Sequence, residues 1–300
     1  KKKGTNAMKL NTLFEQKKIV FSFEVFPPKK TSSIQTIYDT LDALSDLNPD
    51  FISVTYGAGG NPADHSTVEI ASTIKHKYHI EPLAHLTCLN STKEHIGQVL
   101  NELRENEIEN ILALRGDRNP DVPPKTDYRY ARDLIEELNH HGEFDIAAAC
   151  YPEVHPECPD MEEDILHLKE KVDAGASHLI SQLFFDNNDF YNFLYRVREA
   201  GIMVPVEAGI MPVTNRKQIE RMVSLCGASL PKKFVKIMHR YGDDPAAMQD
   251  AGIAYAVEQI VDLISNGVQG IHLYTMNNPL IARRISQSVA SLIRCSNRAE

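Results

Sequence analysis

Apolar residues recur along this chain in two alternating rhythms. Short runs rich in Val, Ile, Phe and Tyr have the composition of buried strands. Each is followed by a stretch whose apolar positions fall three or four apart, as on one face of a helix. The short runs lie at 19–25, 51–56, 82–88, 110–114, 144–149, 178–185, 204–210 and 270–275. The helical stripes between them are marked by Ile34, Ile37, Leu41, Leu44 and Leu47, then by residues 66–78, then by Ile96, Val99, Leu100 and Leu103. Further stripes cover 130–138, 160–174 and 190–199. The connection after the seventh run is longer. It holds stripes at 218–225 and 232–239, and a third with Ile253, Val257, Ile260 and Ile264. Ile281, Ile285, Val289 and Leu292 mark a closing helix. Helix-start signals stand where the rhythm changes: Thr31-Ser-Ser33, the capping box Ser91-Thr-Lys-Glu94, and Asp160 with Glu163.

Strands alternating with helices predict a parallel sheet. Eight such units in this length predict an α/β fold: a single (β/α)8 TIM barrel with extra helices in the connection between strands 7 and 8. Residues 8–300 are expected to form one catalytic barrel, and residues 1–7, before Met8, to be an added or disordered leader. No Gly-x-Gly-x-x-Gly follows any strand, and Gly57-Ala-Gly-Gly60 reads as a βα turn, so a dinucleotide-binding sheet is not expected.

Composition narrows the function classes. The 300 residues are 42% hydrophobic with a formal charge of −9, an ordinary globular balance that argues against a nucleic-acid partner. No apolar run has membrane-spanning length. The five cysteines are scattered, which argues against a disulfide framework and for a reducing, cytoplasmic setting. The set Cys150, His155 and Cys158 fits no standard zinc spacing, and no metal is expected.

The chemistry sits at the strand ends. Phe21-Ser-Phe-Glu-Val-Phe-Pro-Pro28 is an apolar strand with one carboxylate, Glu24, stopped by two prolines that cannot donate to a ladder. Burying a carboxylate is costly unless it is paired or held as the neutral acid. A general acid needs that neutral form. From this segment alone, a cap for backbone amides and a catalyst are equally open. The other strands end in Thr55 and Tyr56, His85 and Thr87, Arg115-Gly-Asp117, Tyr151 and His155, Gln182, and Tyr274. In such barrels these ends form one mouth, and a polar ring there favours a site. Arg115 would clamp phosphate and Asp117 would accept from an amidine-like heterocycle; a structural Arg115–Asp117 ion pair is the alternative. His85 could instead be a satisfied core histidine, and Tyr56 and Tyr274 rim packing. Gln182, read as lying inside the sixth strand, needs partners that a heterocyclic ligand would supply.

With these residues in view, the chain resembles the methylenetetrahydrofolate reductase family in its short bacterial form. The resemblance is carried in order by Phe21-Ser-Phe-Glu-Val-Phe-Pro-Pro28, Asp50-Phe-Ile-Ser-Val-Thr-Tyr-Gly57, His85-Leu-Thr-Cys88, Leu112-Ala-Leu-Arg-Gly-Asp117, Tyr151-Pro-Glu-Val-His-Pro156, Lys171-Val-Asp-Ala-Gly-Ala176, Gln182-Leu-Phe-Phe-Asp186, Gly209-Ile-Met-Pro-Val213 and Leu273-Tyr-Thr-Met-Asn277. It implies FAD at the barrel mouth and a ping-pong hydride transfer from NADH or NADPH to 5,10-methylenetetrahydrofolate. The product would be 5-methyltetrahydrofolate for methionine synthesis, made by a cytoplasmic homo-oligomer. The resemblance makes Glu24 the general acid at N10 of the folate and places Asp117 beside flavin and pterin. It assigns substrate to Gln182, Gln218 and Tyr274, the nicotinamide to Thr55, and FAD to Tyr56, Ala58, His85, Arg115, Gly116, Asp117, Ala131, Tyr151, His155, Asp164, His167 and Lys171. His167, Glu170, Met222 and Asn278 stand where the family pattern has other residues.

Three other readings compete. One is another flavin-dependent barrel oxidoreductase, of the proline dehydrogenase kind. A flavin-free lyase or aldolase would want a lysine at a strand end, and none is found there. A folate- or flavin-binding protein without turnover would have no need of Glu24.

Overall fold

Eight parallel strands close on themselves in sequence order. The computed structural model describes residues 8–28, 32–56, 66–118, 123 and 125–298. The strands are β1 (Val20–Val25), β2 (Phe51–Val54), β3 (Glu81–Thr87), β4 (Asn110–Leu114), β5 (Asp145–Cys150), β6 (His178–Ser181), β7 (Val206–Ile210) and β8 (Gly270–Tyr274). β1 pairs with β8 from Val20 opposite Gly270 to Glu24 opposite Tyr274, which closes the (β/α)8 barrel.

The helices are α1 (Asn11–Gln16), α2 (Gln35–Ser45), α3 (Ser66–Tyr78), α4 (Lys93–Glu105), α5 (Ala131–His141), α6 (Met161–Asp173) and α7 (Asn187–Glu199). After β7 come α8 (Arg216–Cys226), α9 (Lys232–Tyr241) and α10 (Pro245–Ser265), the expected extra helices; α11 (Pro279–Ser296) closes the chain.

The strands have two faces because side chains alternate. Phe21, Phe23 and Val25 point outward with Ile52, Val54, Leu86, Ile111, Ile146, Leu179 and Leu273, and pack on the buried stripes of the helices. The other set is split by height. At the N-terminal end Val20, Phe51, Leu83, Leu112 and Ile180 form a separate apolar cluster with Leu10 and Leu13. Those two residues belong to α1 and its start, an element the periodicity does not announce because six residues are too few to show a face. α1 is tied down by backbone amides: Leu10 N donates to Asn110 Oδ1 at 3.0 Å, and Asn11 N to Asp145 Oδ2 at 2.7 Å. It closes the floor of the barrel.

Three local expectations change. The sixth strand ends at Ser181, so Gln182 lies just past it; its Oε1 accepts from Leu183 N at 2.9 Å. The cap of α4 is Thr92, whose side chain accepts from His95 N, while Ser91 donates back to the Thr87 carbonyl. The seventh strand starts at Val206, after Pro205, which has no N–H to donate.

Candidate active site

β1 delivers Glu24 to the C-terminal mouth, and the loop after β8 fixes the strand end there. Thr275 Oγ1 donates to the Glu24 carbonyl at 2.6 Å. Asn277 accepts from Phe26 N at 3.1 Å and donates to the Phe26 carbonyl at 2.8 Å. The chain therefore stays in place where Pro27 and Pro28 end the ladder.

Glu24 opens into a cavity of about 750 Å³ at the mouth. Its carboxylate, 19% exposed, has Oε2 3.6 Å from His85 Nε2 and 3.6 Å from His272 Nε2. Burial pushes the His85 imidazole down to about 4, so it is neutral near pH 7. Its Nε2 is buried and has no hydrogen-bond partner, so His85 is not a satisfied core histidine.

Of the residues expected at the site, the cavity wall holds Glu24, Thr55, Tyr56, His85, Arg115, Gly116, Asp117, Tyr151, His155, Gln182 and Tyr274. Arg115 forms a fork-on-fork pair, 2.7 Å on each side, with Glu157 rather than with Asp117. The guanidinium holds the Glu157 carboxyl at about 2. Gly116 sits at a φ of 87°, and a Cβ there would lie 3.1 Å from Thr87 Cβ. The backbone here needs glycine and leaves its surface bare. Tyr151 and His155 stack edge to face at 4.6 Å, and the His155 amide donates to Asp164 Oδ2 at 2.9 Å. The Tyr274 hydroxyl donates to the Ser181 carbonyl at 2.7 Å, so its ring is a fixed wall.

Five expected residues do not line the cavity. Ala131 opens α5, Asp164 supports His155 from α6, and His167 is exposed on α6. Lys171 donates to the Ala149 carbonyl at 2.7 Å, its ammonium enclosed and its pKa lowered by burial. Gln218 lies on α8 one turn before Met222, which does line the cavity. Ala58 lies outside the described residues.

The sequence reading missed the polar residues inside the strands. Ser22, Ser53, His272 and Glu207 are all fully buried beneath Glu24. The signal available was a charged residue within the otherwise apolar Val206-Glu-Ala-Gly-Ile210. Asn90 was missed as well; it lines the cavity with a buried Oδ1 that has no partner.

Among the described residues, no group of three or more His, Cys, Asp or Glu is arranged to hold a metal ion. No helix there is long and apolar enough to cross a membrane.

Comparison with known proteins gives a consistent result. Residues 9–290 match the family described as methylenetetrahydrofolate reductase. The chain is 36% identical over 274 residues to a 5,10-methylenetetrahydrofolate reductase of Pectobacterium carotovorum, covering 91% of each chain. It is 38% identical over 264 residues to that of Escherichia coli K12, covering 87% of this chain and 88% of the relative. An Arabidopsis thaliana relative, methylenetetrahydrofolate reductase (NADH) 1, is 35% identical, and the match spans 48% of its length. Among solved structures, a Clostridium thermocellum protein described as binding two copies of 5-methyl-5,6,7,8-tetrahydrofolic acid superposes with a TM-score of 0.67 at 13% identity, over 96% of this chain and all of that one. At that identity it supports the barrel fold.

Proposed function

The chain belongs to the methylenetetrahydrofolate reductase family, and from that premise we propose that it reduces 5,10-methylenetetrahydrofolate to 5-methyltetrahydrofolate with FAD and NADH or NADPH, in a ping-pong sequence whose product serves methionine synthesis. The observation that carries this reading is the mouth cavity, with Glu24 as its innermost carboxylate.

The residues present fit a flavin dinucleotide. The bare backbone at Gly116 admits close approach of a flat ring system. The unpartnered His85 Nε2 and Asn90 Oδ1 offer buried polar contacts, and Arg115, on the cavity wall, would meet a phosphate by exchanging its Glu157 partner. Tyr56, His85, Arg115, Gly116, Asp117, Tyr151 and His155 would hold it, with Asp164 acting through His155. Bound there, FAD would carry hydride between nicotinamide and folate.

The chain's own part is acid chemistry and positioning. Glu24 gives a proton to N10 of the folate, which opens the five-membered ring to an iminium. The carboxylate left behind then faces the cation. His85, neutral near pH 7, and the fully buried His272 each stand 3.6 Å from this carboxyl, beyond hydrogen-bond length, so it stays available to substrate. Asp117 and Gln182 line the same cavity and would orient the pterin; the Gln182 oxygen is taken by Leu183 N, so its Nε2 hydrogens are the part that would reach the ring. Thr55 would meet the nicotinamide, and Tyr274 would wall the ring pocket.

An anaerobic absorption spectrum tests the reading. The flavin band of the FAD-loaded enzyme should bleach with NADH and return with methylenetetrahydrofolate. A band that bleaches and does not return would move the activity to another flavin-linked substrate.

A further inference from the structure

β7 carries a carboxylate in the barrel interior, where aliphatic side chains usually fill the layers. Glu207 is fully buried. Room for it exists because residue 270 is glycine: a Cβ there would lie 2.6 Å from Glu207 Cγ. Glu207 Oε1 has no hydrogen-bond partner, and Oε2 is 2.7 Å from Ser22 Oγ. Burial pushes this carboxyl up to about 7. Ser22 Oγ is in turn 2.7 Å from His272 Nδ1, and His272 Nε2 is 3.6 Å from Glu24 Oε2. Four groups thus form a line from the barrel interior to the mouth.

That line admits two proton arrangements, because Ser22 has one hydroxyl hydrogen. If Ser22 donates to Glu207, then Glu207 is a carboxylate and His272 carries its hydrogen on Nδ1. Its bare Nε2 then faces a protonated Glu24. If Ser22 donates to His272 Nδ1, then Glu207 must be the neutral acid that donates to Ser22. His272 then carries its hydrogen on Nε2, facing an ionised Glu24. The heavy atoms serve both states, which differ by one proton moved from end to end.

We propose that Glu207, Ser22 and His272 are a buried relay that returns a proton to Glu24 after Glu24 has protonated the substrate. His272 Nε2–H passes its proton to Glu24 Oε2, Nδ1 takes the Ser22 hydrogen, and Ser22 takes the Glu207 hydrogen. No bond between heavy atoms changes, and one negative charge moves from Glu24 to Glu207. Solvent reloads the line through Glu24 once product leaves. The 3.6 Å gap is longer than a hydrogen bond, and such catalytic contacts commonly tighten when substrate binds. The three residues act through Glu24, so they are positioning residues, and the inference rests on Glu24 being the acid of the proposed reaction.

The neighbouring ionisable groups leave the line intact. His272 is faced by His85 from β3 and His178 from β6, both held at about 4 by burial and so neutral near pH 7. Asp50, ahead of β2, raises the Glu207 pKa and is itself paired with Lys17.

The test is steady-state turnover with saturating NADH and varied methylenetetrahydrofolate across the neutral pH range, for wild type, Glu207→Gln, Ser22→Ala, Ser22→Thr and Glu24→Gln. Infrared spectroscopy of the resting protein runs beside it. The wild-type rate should fall as pH rises through about 7, where Glu207 loses its proton. Glu207→Gln and Ser22→Ala should each lower the rate by about tenfold at acid pH, abolish that inflection and leave the folate KM unchanged. Ser22→Thr, which keeps the hydroxyl, should restore both. The infrared band of a buried protonated carboxyl should titrate near 7 in wild type and vanish in Glu207→Gln. If Glu207→Gln fails to fold, Ser22→Ala and the wild-type infrared titration still decide. Wild-type rates and pH profiles in both relay variants, or no titrating carboxyl band, would overturn the relay even if Glu24→Gln abolishes folate reduction. Full folate reduction by Glu24→Gln would overturn the acid reading, and the relay with it.

Discussion

Phe23 and Glu24 are neighbours on β1, and they point to opposite sides of the barrel wall. Phe23 is fully buried against the helices, edge-on to Phe21 at 5.3 Å. Glu24 faces the cavity, two residues above Ser22 and its contacts with Glu207 and His272. The same division runs around the barrel. The outward face is apolar and holds the fold together by burial. The upper inward face carries ionisable and hydroxyl groups that a core chosen only for stability would replace with aliphatic ones. Stability and chemistry therefore occupy alternate residues of the same strands. Substitutions one position apart should separate them.

The largest effect should come from Glu24→Gln. Removing a general acid costs about 10²- to 10⁴-fold in the step it serves. Stopped-flow reoxidation of the reduced enzyme by methylenetetrahydrofolate should show that loss, while NADH oxidation and the thermal midpoint change little. A large drop in the midpoint would break the division of faces. Phe23→Ala should do the reverse. It should cost about 3–5 kcal/mol in denaturant unfolding, with the remaining folded enzyme turning over near the wild-type rate.

The inward face should also set the pH dependence of stability. Burial holds His85 and His178 at about 4. The unfolded chain binds those two protons below about 6.5 and the folded chain does not, so stability falls as pH drops from there. Glu207 acts in the opposite sense. Its folded pKa is raised from 4.5 to about 7. Its contribution is full below about 4.5 and is lost as pH rises through about 7. Between these limits two histidines outweigh one carboxyl, so the three groups together make stability rise with pH from about 4.5 and level off near pH 7, where the carboxyl's loss offsets what the histidines still add. Glu207→Gln should remove that offset, so that stability still climbs between pH 6 and pH 8, and should gain on the order of 2–3 kcal/mol at pH 8. Urea unfolding of both proteins at pH 6 and pH 8 measures it. An equal change from pH 6 to pH 8 in the two proteins would show that Glu207 is not the group responsible.

The alternation that separates the faces also decides how much of the fold is legible in the sequence. Strand and helix periods are local, so the eight units and the three extra helices were legible, and with them the mouth. Glu24, Arg115 and Asp117 were legible because they stand where strands stop. Glu207 and His272 were not. A polar residue within a strand shows its meaning only when the closed barrel brings β7, β8 and β1 together. The Arg115–Glu157 pair joins residues 42 apart and was hidden for the same reason. α1 was missed because its six residues are too few to show a face and its contacts, with Asn110 and Asp145, lie 100 and 134 residues away in the chain.

The smallest effect distinguishes two serines on the inward face. Ser22 and Ser53 are both fully buried, on adjacent strands, and both approach His272. Ser22 Oγ lies 2.7 Å from Nδ1 and also contacts Glu207, so it is a link. Ser53 Oγ lies 3.4 Å from Nε2, near the limit of a hydrogen bond, so it is a side branch. Ser53→Ala should therefore cost about 1 kcal/mol or less in stability, change steady-state turnover less than about threefold, and leave its pH profile in place. If Ser53→Ala moved the profile as far as Ser22→Ala, burial near His272 would matter rather than position in the line. The inward face would then work as a diffuse polar environment and not as an ordered path.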